Sequence, residues 1–109
     1  YNEFIINIKD KLILSNNTEK NITFPLHFHP SIYLDSKEGN IYTASNNKSI
    51  LLEISIDNSF SSSIKKGSNS PLIGWYSANF DKIEPTRVIL SEKNINESFT
   101  FETKIKVVR

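Results

Sequence analysis

Apolar side chains recur at every second position along most of this chain, and this spacing constrains the fold more than any other feature. In the last segment, one side of the pattern collects Phe99, Phe101, Thr103, Ile105 and Val107. The residues between them are all polar or charged. A period of two places alternate side chains on opposite faces of a β-strand, whereas a helical face requires a period near 3.6. The segment is therefore predicted to be a half-buried antiparallel strand.

The same spacing predicts further strands upstream. Residues 4–8 form one alternating segment, and residues 12–14 are predicted to form the next short strand. Residues 22–29 are predicted to be a single strand, because Ile22, Phe24, Leu26 and Phe28 share one face. Residues 50–56 alternate in the same way. Short strands of this kind pair most easily through hairpins.

Turn-forming residues separate these segments at regular intervals. Residues 37–40 predict a hairpin in which Gly39 takes a positive φ. Residues 45–48 predict a turn with Asn in the left-handed region, residues 66–71 a longer loop, and residues 92–96 the break between the final two strands. The pattern predicts an all-β protein, an antiparallel β-sandwich of about eight or nine short strands.

Composition agrees with this fold class. The chain has 16 Ile and only two Ala, and 25 of its residues are β-branched, which favours strands over helices. Its 109 residues are enough for one domain, 1–109. Because there is no cysteine, disulfide scaffolds and thiolate metal sites are excluded. The chain begins with Tyr1 rather than Met, and we expect it to be part of a larger protein.

The charge pattern argues against two classes of partner. The 13 basic and 12 acidic residues are scattered, and residues 65–66 are the only basic doublet. Nucleic-acid binders usually carry a concentrated basic surface, so we expect no nucleic-acid partner. No apolar run approaches the roughly 20 residues that span a bilayer, so we expect no membrane partner.

The first candidate site is the pair His27 and His29. If the strand continues through residue 29, both imidazoles lie on one face, about 7 Å apart along the strand. Such a pair can ligate a metal with further ligands, for which Asp10, Asp35 and Glu53 are only nominal candidates, or it can bind an anionic group such as an acidic polysaccharide. The alternative of two surface or edge histidines on a strand that Pro30 ends is favoured, and we expect no metal site.

The second candidate site contains the only Trp. Trp75 is followed by Tyr76 and, further along, by Arg87. Aromatic rings stack on sugar rings, and an Arg can hold a carboxylate bidentately, so this set suits an acidic polysaccharide. In the alternative, Trp75 fills the core and Arg87 pairs with a surface Glu. For the single Trp of a small β domain, the core interpretation is favoured.

Three segments, taken in order, resemble segments of heparinase II/III-like polysaccharide lyases. Residues 5–12 resemble a strand of that family, and residues 26–32 resemble its His-x-His-Pro-x-hydrophobic segment. Residues 74–77, Gly-Trp-Tyr-Ser, together with Phe80 and residues 84–86, Glu-Pro-Thr, resemble its later Gly-Trp-aromatic-Ser, aromatic, Pro-Thr segment. Residues 80–82 depart from the family, because Phe-Asp-Lys stands where an aromatic-Gly pair is usual.

The resemblance implies the C-terminal β-sandwich portion of a bacterial enzyme that cleaves uronic-acid glycans by β-elimination. The catalytic residues of the family lie in an N-terminal helical toroid and in an earlier β-region, and none of them matches a position of this chain. The resemblance therefore implies a structural or cleft-lining role without activity alone, no cofactor, and the toroid of the same parent chain as partner. It further implies a periplasmic, extracellular or envelope location.

Two hypotheses compete with this one. In one of them the domain is a free-standing carbohydrate-binding module, and in the other it is a purely structural β-sandwich. The lyase hypothesis and the carbohydrate-binding hypothesis share the same five candidate substrate-binding residues: His27, His29, Trp75, Tyr76 and Arg87. If the sandwich lacks strands that precede it in a parent, its open edge favours dimerisation.

Overall fold

The computed structural model describes residues 4–15, 18–47, 49–69, 72–79 and 82–108, and all the regular structure in these residues is β-strand. The strands, in chain order, are β1 (Phe4–Leu12), β2 (Lys20–His27), β3 (Tyr33–Glu38), β4 (Ile41–Ser45), β5 (Ile50–Ser55), β6 (Ser61–Lys66), β7 (Ser68–Asn69), β8 (Leu72–Ile73), β9 (Trp75–Asn79), β10 (Lys82–Pro85), β11 (Arg87–Ile95) and β12 (Phe99–Val107).

Eight of these strands form two antiparallel sheets. One sheet has five strands in the order β1-β12-β5-β4-β3, and the other has three in the order β2-β11-β6. The short strands β9 and β10 pair with each other, as do β7 and β8. The prediction of an all-β, sandwich-like antiparallel fold is confirmed.

The core lies between the two main sheets. Its buried members are Leu34, Tyr42, Ala44, Ile54, Ile56, Phe60, Ile89 and Phe101. The rings of Phe24 on β2 and Phe101 on β12 meet edge to face with their centroids 5.4 Å apart, and this contact joins the two sheets. Alternate residues of each strand supply this layer, as a period of two requires.

Two local predictions are confirmed directly. β12 spans Phe99–Val107, and both Phe101 and Thr103 on its predicted inner face are buried. The hairpin between β3 and β4 turns at Gly39, whose φ is +53°. In both places the signal is local, because alternation and one glycine determine the structure without help from distant residues.

Several predicted boundaries were wrong. β1 runs unbroken to Leu12, and residues 13–14 lie outside any strand. β2 ends at His27 rather than at residue 29. β11 continues to Ile95, so most of the predicted break at residues 92–96 is strand. This strand tolerates polar residues there because β2 pairs with it as far as Ile95.

Two predicted turns are built differently from expectation. In the 45–48 turn, no described Asn has a positive φ. Asn46 instead accepts a hydrogen bond at Oδ1 from the Ser49 amide, 2.9 Å away, and this contact closes the turn. In the predicted 66–71 loop, Ser68–Asn69 pairs with Leu72–Ile73 as a small ladder. Residues 48, 70 and 71 lie outside the described residues.

The Asp57 carboxylate organises the turn between β5 and β6. Its Oδ1 accepts hydrogen bonds from the Ser59 hydroxyl at 2.7 Å and the Ser59 amide at 3.0 Å. Its Oδ2 lies 3.4 Å from the amide nitrogen of Glu102 on β12. The hydroxyl bond from Ser59, followed by its amide bond, lowers the pKa of Asp57 below the usual 3.8. The charged carboxylate therefore stabilises the fold.

Acidification is expected to remove this contribution. Because the pKa of Asp57 is lower in the folded chain than in the unfolded chain, its contribution is present above the unfolded pKa and is lost as pH falls through the folded pKa. Asp57→Asn should lower the free energy of unfolding by about 1 kcal/mol at neutral pH and by less in acid. Urea denaturation at both pH values measures this difference.

The matched control is Glu53→Gln. The pKa of Glu53 is also lowered, chiefly by a hydrogen bond from Lys37, but that ion pair lies on the surface. Surface pairs contribute little, so the control should change stability less than Asp57→Asn. Parallel acid sensitivity of the wild type and Asp57→Asn would argue against the assigned role of Asp57.

Candidate functional site

The turn that follows β2 separates the two histidines. His27 is exposed and ends β2 opposite Val88, whereas His29 lies beyond the strand. The Ile32 amide donates to the His29 carbonyl at 2.9 Å and closes a turn over residues 29–32. The predicted arrangement of both rings on one strand face is therefore wrong, because the strand ends before the alternation reaches His29.

Hydrogen bonds to Ser31 and a contact with Tyr76 hold the ring of His29. Its Nδ1 lies 3.1 Å from the Ser31 amide nitrogen and 2.8 Å from the Ser31 hydroxyl. A backbone N–H can only donate, so Nδ1 is the acceptor of the hydrogen bond from the Ser31 amide. The ring of His29 also contacts the ring of Tyr76 edge to face, with the centroids 5.1 Å apart.

Gly74 joins the segment that carries Tyr76 to its neighbours. Its carbonyl accepts hydrogen bonds from the Gly67 amide at 3.0 Å and from the Thr86 amide at 2.7 Å. The Thr86 hydroxyl in turn donates to the carbonyl of Phe28, next to His29. These hydrogen bonds thus hold together the three segments that carry His29, Tyr76 and Arg87.

Trp75 lies beside this junction and outside the buried core. The indole is half-buried, and its Nε1 donates to the Ser68 carbonyl at 3.0 Å. Its ring lies beside Gly67, where an added Cβ would be in van der Waals contact with the indole carbons at 3.5 Å. The favoured interpretation that Trp75 fills the core was therefore wrong. The ring instead covers the turn at Gly67.

Arg87 is held by the turn on the other side of this junction. Its Nη1 donates to the Ile32 carbonyl at 3.2 Å, and its guanidinium carbon lies 4.4 Å from the centroid of the Tyr33 ring. Lys66 is its cross-strand partner on β6. Within the described part of the chain, Arg87 makes these contacts rather than the alternative pair with a surface Glu.

These contacts define a surface that we call the His29–Arg87 patch. Its members are His29, Tyr33, Lys66, Tyr76 and Arg87. Sequence reasoning missed Tyr33 and Lys66, although the exposed Tyr33 directly follows the 26–32 segment. The patch contains three of the predicted residues, whereas His27 lies on the neighbouring strand and Trp75 supports the Gly67 turn.

Comparison with protein-family models, with curated proteins and with solved structures finds no match. Among the described residues, no three His, Cys, Asp or Glu side chains are grouped so as to hold a metal ion. In the same residues, no helix is long and apolar enough to cross a membrane.

The residues of the patch combine two cations, Lys66 and Arg87, with the rings of Tyr33 and Tyr76. The guanidinium uses Nη1 toward Ile32, and it has further N–H donors in a planar fork that matches a carboxylate. Tyr33 is 45% exposed and presents an aromatic surface beside that charge. Lys66 is exposed and adds a second positive charge directly opposite Arg87. This arrangement suits an anionic ligand with flat apolar faces.

Proposed function

We propose that the His29–Arg87 patch binds the carboxylates of an acidic polysaccharide. The observation that carries this proposal is the Arg87 guanidinium, held between the Ile32 carbonyl and the Tyr33 ring at one side of the junction where His29 meets Tyr76. A uronate carries both a carboxylate for the guanidinium and a ring face for an aromatic side chain.

Like charges favour an anionic ligand at this position. Arg87 and Lys66 are direct cross-strand partners, and two positive charges in such a pair repel each other. A bound carboxylate relieves that repulsion. Because Nδ1 of His29 accepts from the Ser31 amide, Nε2 is the ring nitrogen left to donate to a hydroxyl or a carboxylate of the same sugar.

We further propose that the chain is the C-terminal β-sandwich portion of a heparinase II/III-like polysaccharide lyase. The support is that two of the segments resembling that family, 26–32 and 74–77, contact each other through His29 and Tyr76. In this proposal, β-elimination is carried out by residues of a helical toroid in the parent, and the patch lines one wall of the glycan cleft. The location is then the periplasm, the cell envelope or the extracellular space.

Arg87→Gln is expected to weaken binding of alginate or heparin by about tenfold, because a charge-assisted hydrogen bond contributes about 1.5 kcal/mol. Isothermal titration calorimetry with defined uronate oligosaccharides measures the affinity, and neutral dextran tests specificity. The same samples are assayed for the ultraviolet absorbance of unsaturated uronates, which the 109-residue chain alone should not generate.

Two variants serve as controls for this experiment. Lys9→Gln removes the same charge from β1, outside the patch, and should leave the affinity nearly unchanged. Arg87→Lys keeps the charge but loses the planar fork, so its affinity should be intermediate. If Arg87→Gln and Lys9→Gln lost equal affinity, the binding would be a non-specific attraction between charges and not recognition by the patch. Lyase activity in the isolated chain would contradict the assignment of catalysis to the parent.

One observation favours the purely structural alternative. Gly74, Thr86 and Phe28 are linked by backbone and hydroxyl hydrogen bonds, so the resembling segments also have a role in stability. If that is their only role, the folded chain binds no uronate. A carbohydrate-binding module without a lyase parent predicts the same binding as our proposal, and only the parent's activity on glycans distinguishes the two.

A further inference from the structure

The five-stranded sheet is wider than the three-stranded sheet that covers it. Neighbouring strands are about 4.8 Å apart, so two extra strands leave about 10 Å of the inner face without a facing strand. The β3 side is covered, since Leu34 is only 6% exposed. On β1, at the other edge, the inner-face residues Phe4, Ile6 and Ile8 are 56%, 41% and 39% exposed.

β1 is also an edge strand. Among the described strands it pairs with β12 alone, so its other side presents backbone groups that β12 does not use. Ile5, on the outer face, is exposed as well. An edge strand that is long, apolar and exposed is a template for pairing with another strand. We call residues 4–8 and their open backbone side the β1 edge.

β1 can pair with a second copy of itself, and the register of that pairing decides which side chains meet. Around a two-fold axis perpendicular to the sheet, two copies of β1 pair antiparallel, and the residue on the axis faces its own copy. An axis at Lys9 or Asp10 places like charges opposite each other, which is unfavourable. An axis at Asn7 or Ile8 places Asp10 opposite an apolar residue.

An axis at Ile6 avoids both conflicts and pairs residues 4–8, whereas an axis at Ile5, which also avoids them, pairs only residues 4–6. The Ile6 axis places Ile6 opposite its own copy and Phe4 opposite Ile8 of the second copy, so every inner-face pair is apolar. Lys9, Asp10 and Lys11 then lie outside the paired residues 4–8. In this register the inner-face side chains of both copies, exposed in the single chain, would form one continuous apolar strip between the two three-stranded sheets.

We propose that two copies of this chain pair through the β1 edge, with Ile6 on the two-fold axis, and join their five-stranded sheets into one sheet of ten strands. The proposal goes beyond glycan binding and does not depend on it, because the His29–Arg87 patch lies on other strands and on the turn after β2. Sedimentation equilibrium over a concentration series should show a species of twice 12.5 kDa at the upper concentrations.

Single-cysteine variants test the register, because the chain has no cysteine of its own. Ile6→Cys places two thiols across an antiparallel pair, where Cα atoms are about 4.5–5.5 Å apart and a disulfide forms readily. Ile8→Cys separates the two thiols by about 13 Å along the strands. Mild oxidation should cross-link Ile6→Cys almost completely. Ile8→Cys and Ile13→Cys, at a more exposed position outside β1, should remain mostly monomeric.

Charge exchange provides a second test that does not depend on thiols. Ile6→Lys and Ile6→Glu should each be monomeric, and their mixture should dimerise, because the axis then places opposite charges together. Circular dichroism establishes that each variant is folded. A wild-type chain that stays at 12.5 kDa at every concentration overturns the proposal. Equal cross-linking of all three cysteine variants overturns it as well. So does a dimer that forms equally well in Ile6→Lys and in Ile6→Glu alone.

Discussion

Gly74→Ala is expected to be among the most damaging single substitutions in this chain. Gly74 has a φ of +82°, which side chains rarely adopt. An added Cβ would lie 2.8 Å from the Gly67 nitrogen and 2.9 Å from the Thr86 carbonyl oxygen, and both are backbone atoms. The conformational strain and the backbone displacement together should cost about 3 kcal/mol. Urea denaturation at neutral pH measures the loss.

Gly39→Ala is the matched control. Gly39 also has a positive φ, +53°, but no atom lies within 4 Å of the Cβ that would be added. Only the conformational cost remains, about 1 kcal/mol. If the two variants lost equal stability, the close packing around Gly74 would have no energetic consequence. Gly74→Ala should also weaken uronate binding at temperatures where the chain stays folded, because the Gly74 carbonyl holds the segment that carries Tyr76.

The alternating strands could be predicted because their signal is local. β12 and the β3–β4 hairpin follow from alternation and from Gly39, and neither needs information about distant residues. The end of β2 had no such signal. Phe28 continues the apolar alternation, and its amide even bonds the Arg87 carbonyl, but the chain already turns at His29.

The candidate site could be predicted only in part, because its contacts link segments far apart in the chain. His29 and Tyr76 were singled out from separate motifs, and only the fold brings their rings together. Tyr33 carries no motif, and its role depends on Arg87 reaching the turn at Ile32. The prediction that Trp75 fills the core was wrong. Composition favours a buried indole, but the ring packs on the turn at Gly67, a surface that only the fold creates.

Phe101→Ala is expected to remove a large part of the stability of the sandwich. Phe101 is buried on β12, and its ring centroid lies 5.4 Å from that of Phe24 and 4.9 Å from that of Phe60. Truncating a buried Phe costs about 3–5 kcal/mol, through lost burial and the cavity left behind. Folded domains have only about 5–15 kcal/mol in total, so the variant should unfold at a much lower urea concentration.

Phe99→Ala distinguishes this central role from general aromatic content. Phe99 stacks on Phe101 with centroids 5.9 Å apart, but it is only partly buried at the start of β12. The Lys93 ammonium nitrogen also lies 3.8 Å from the centroid of the Phe99 ring. A cation–π contact of this kind contributes about 0.5–1 kcal/mol at an exposed site. The loss should therefore be clearly smaller than for Phe101→Ala. Equal losses would mean that the two sheets are joined by the whole aromatic row and not by the Phe24–Phe101 contact.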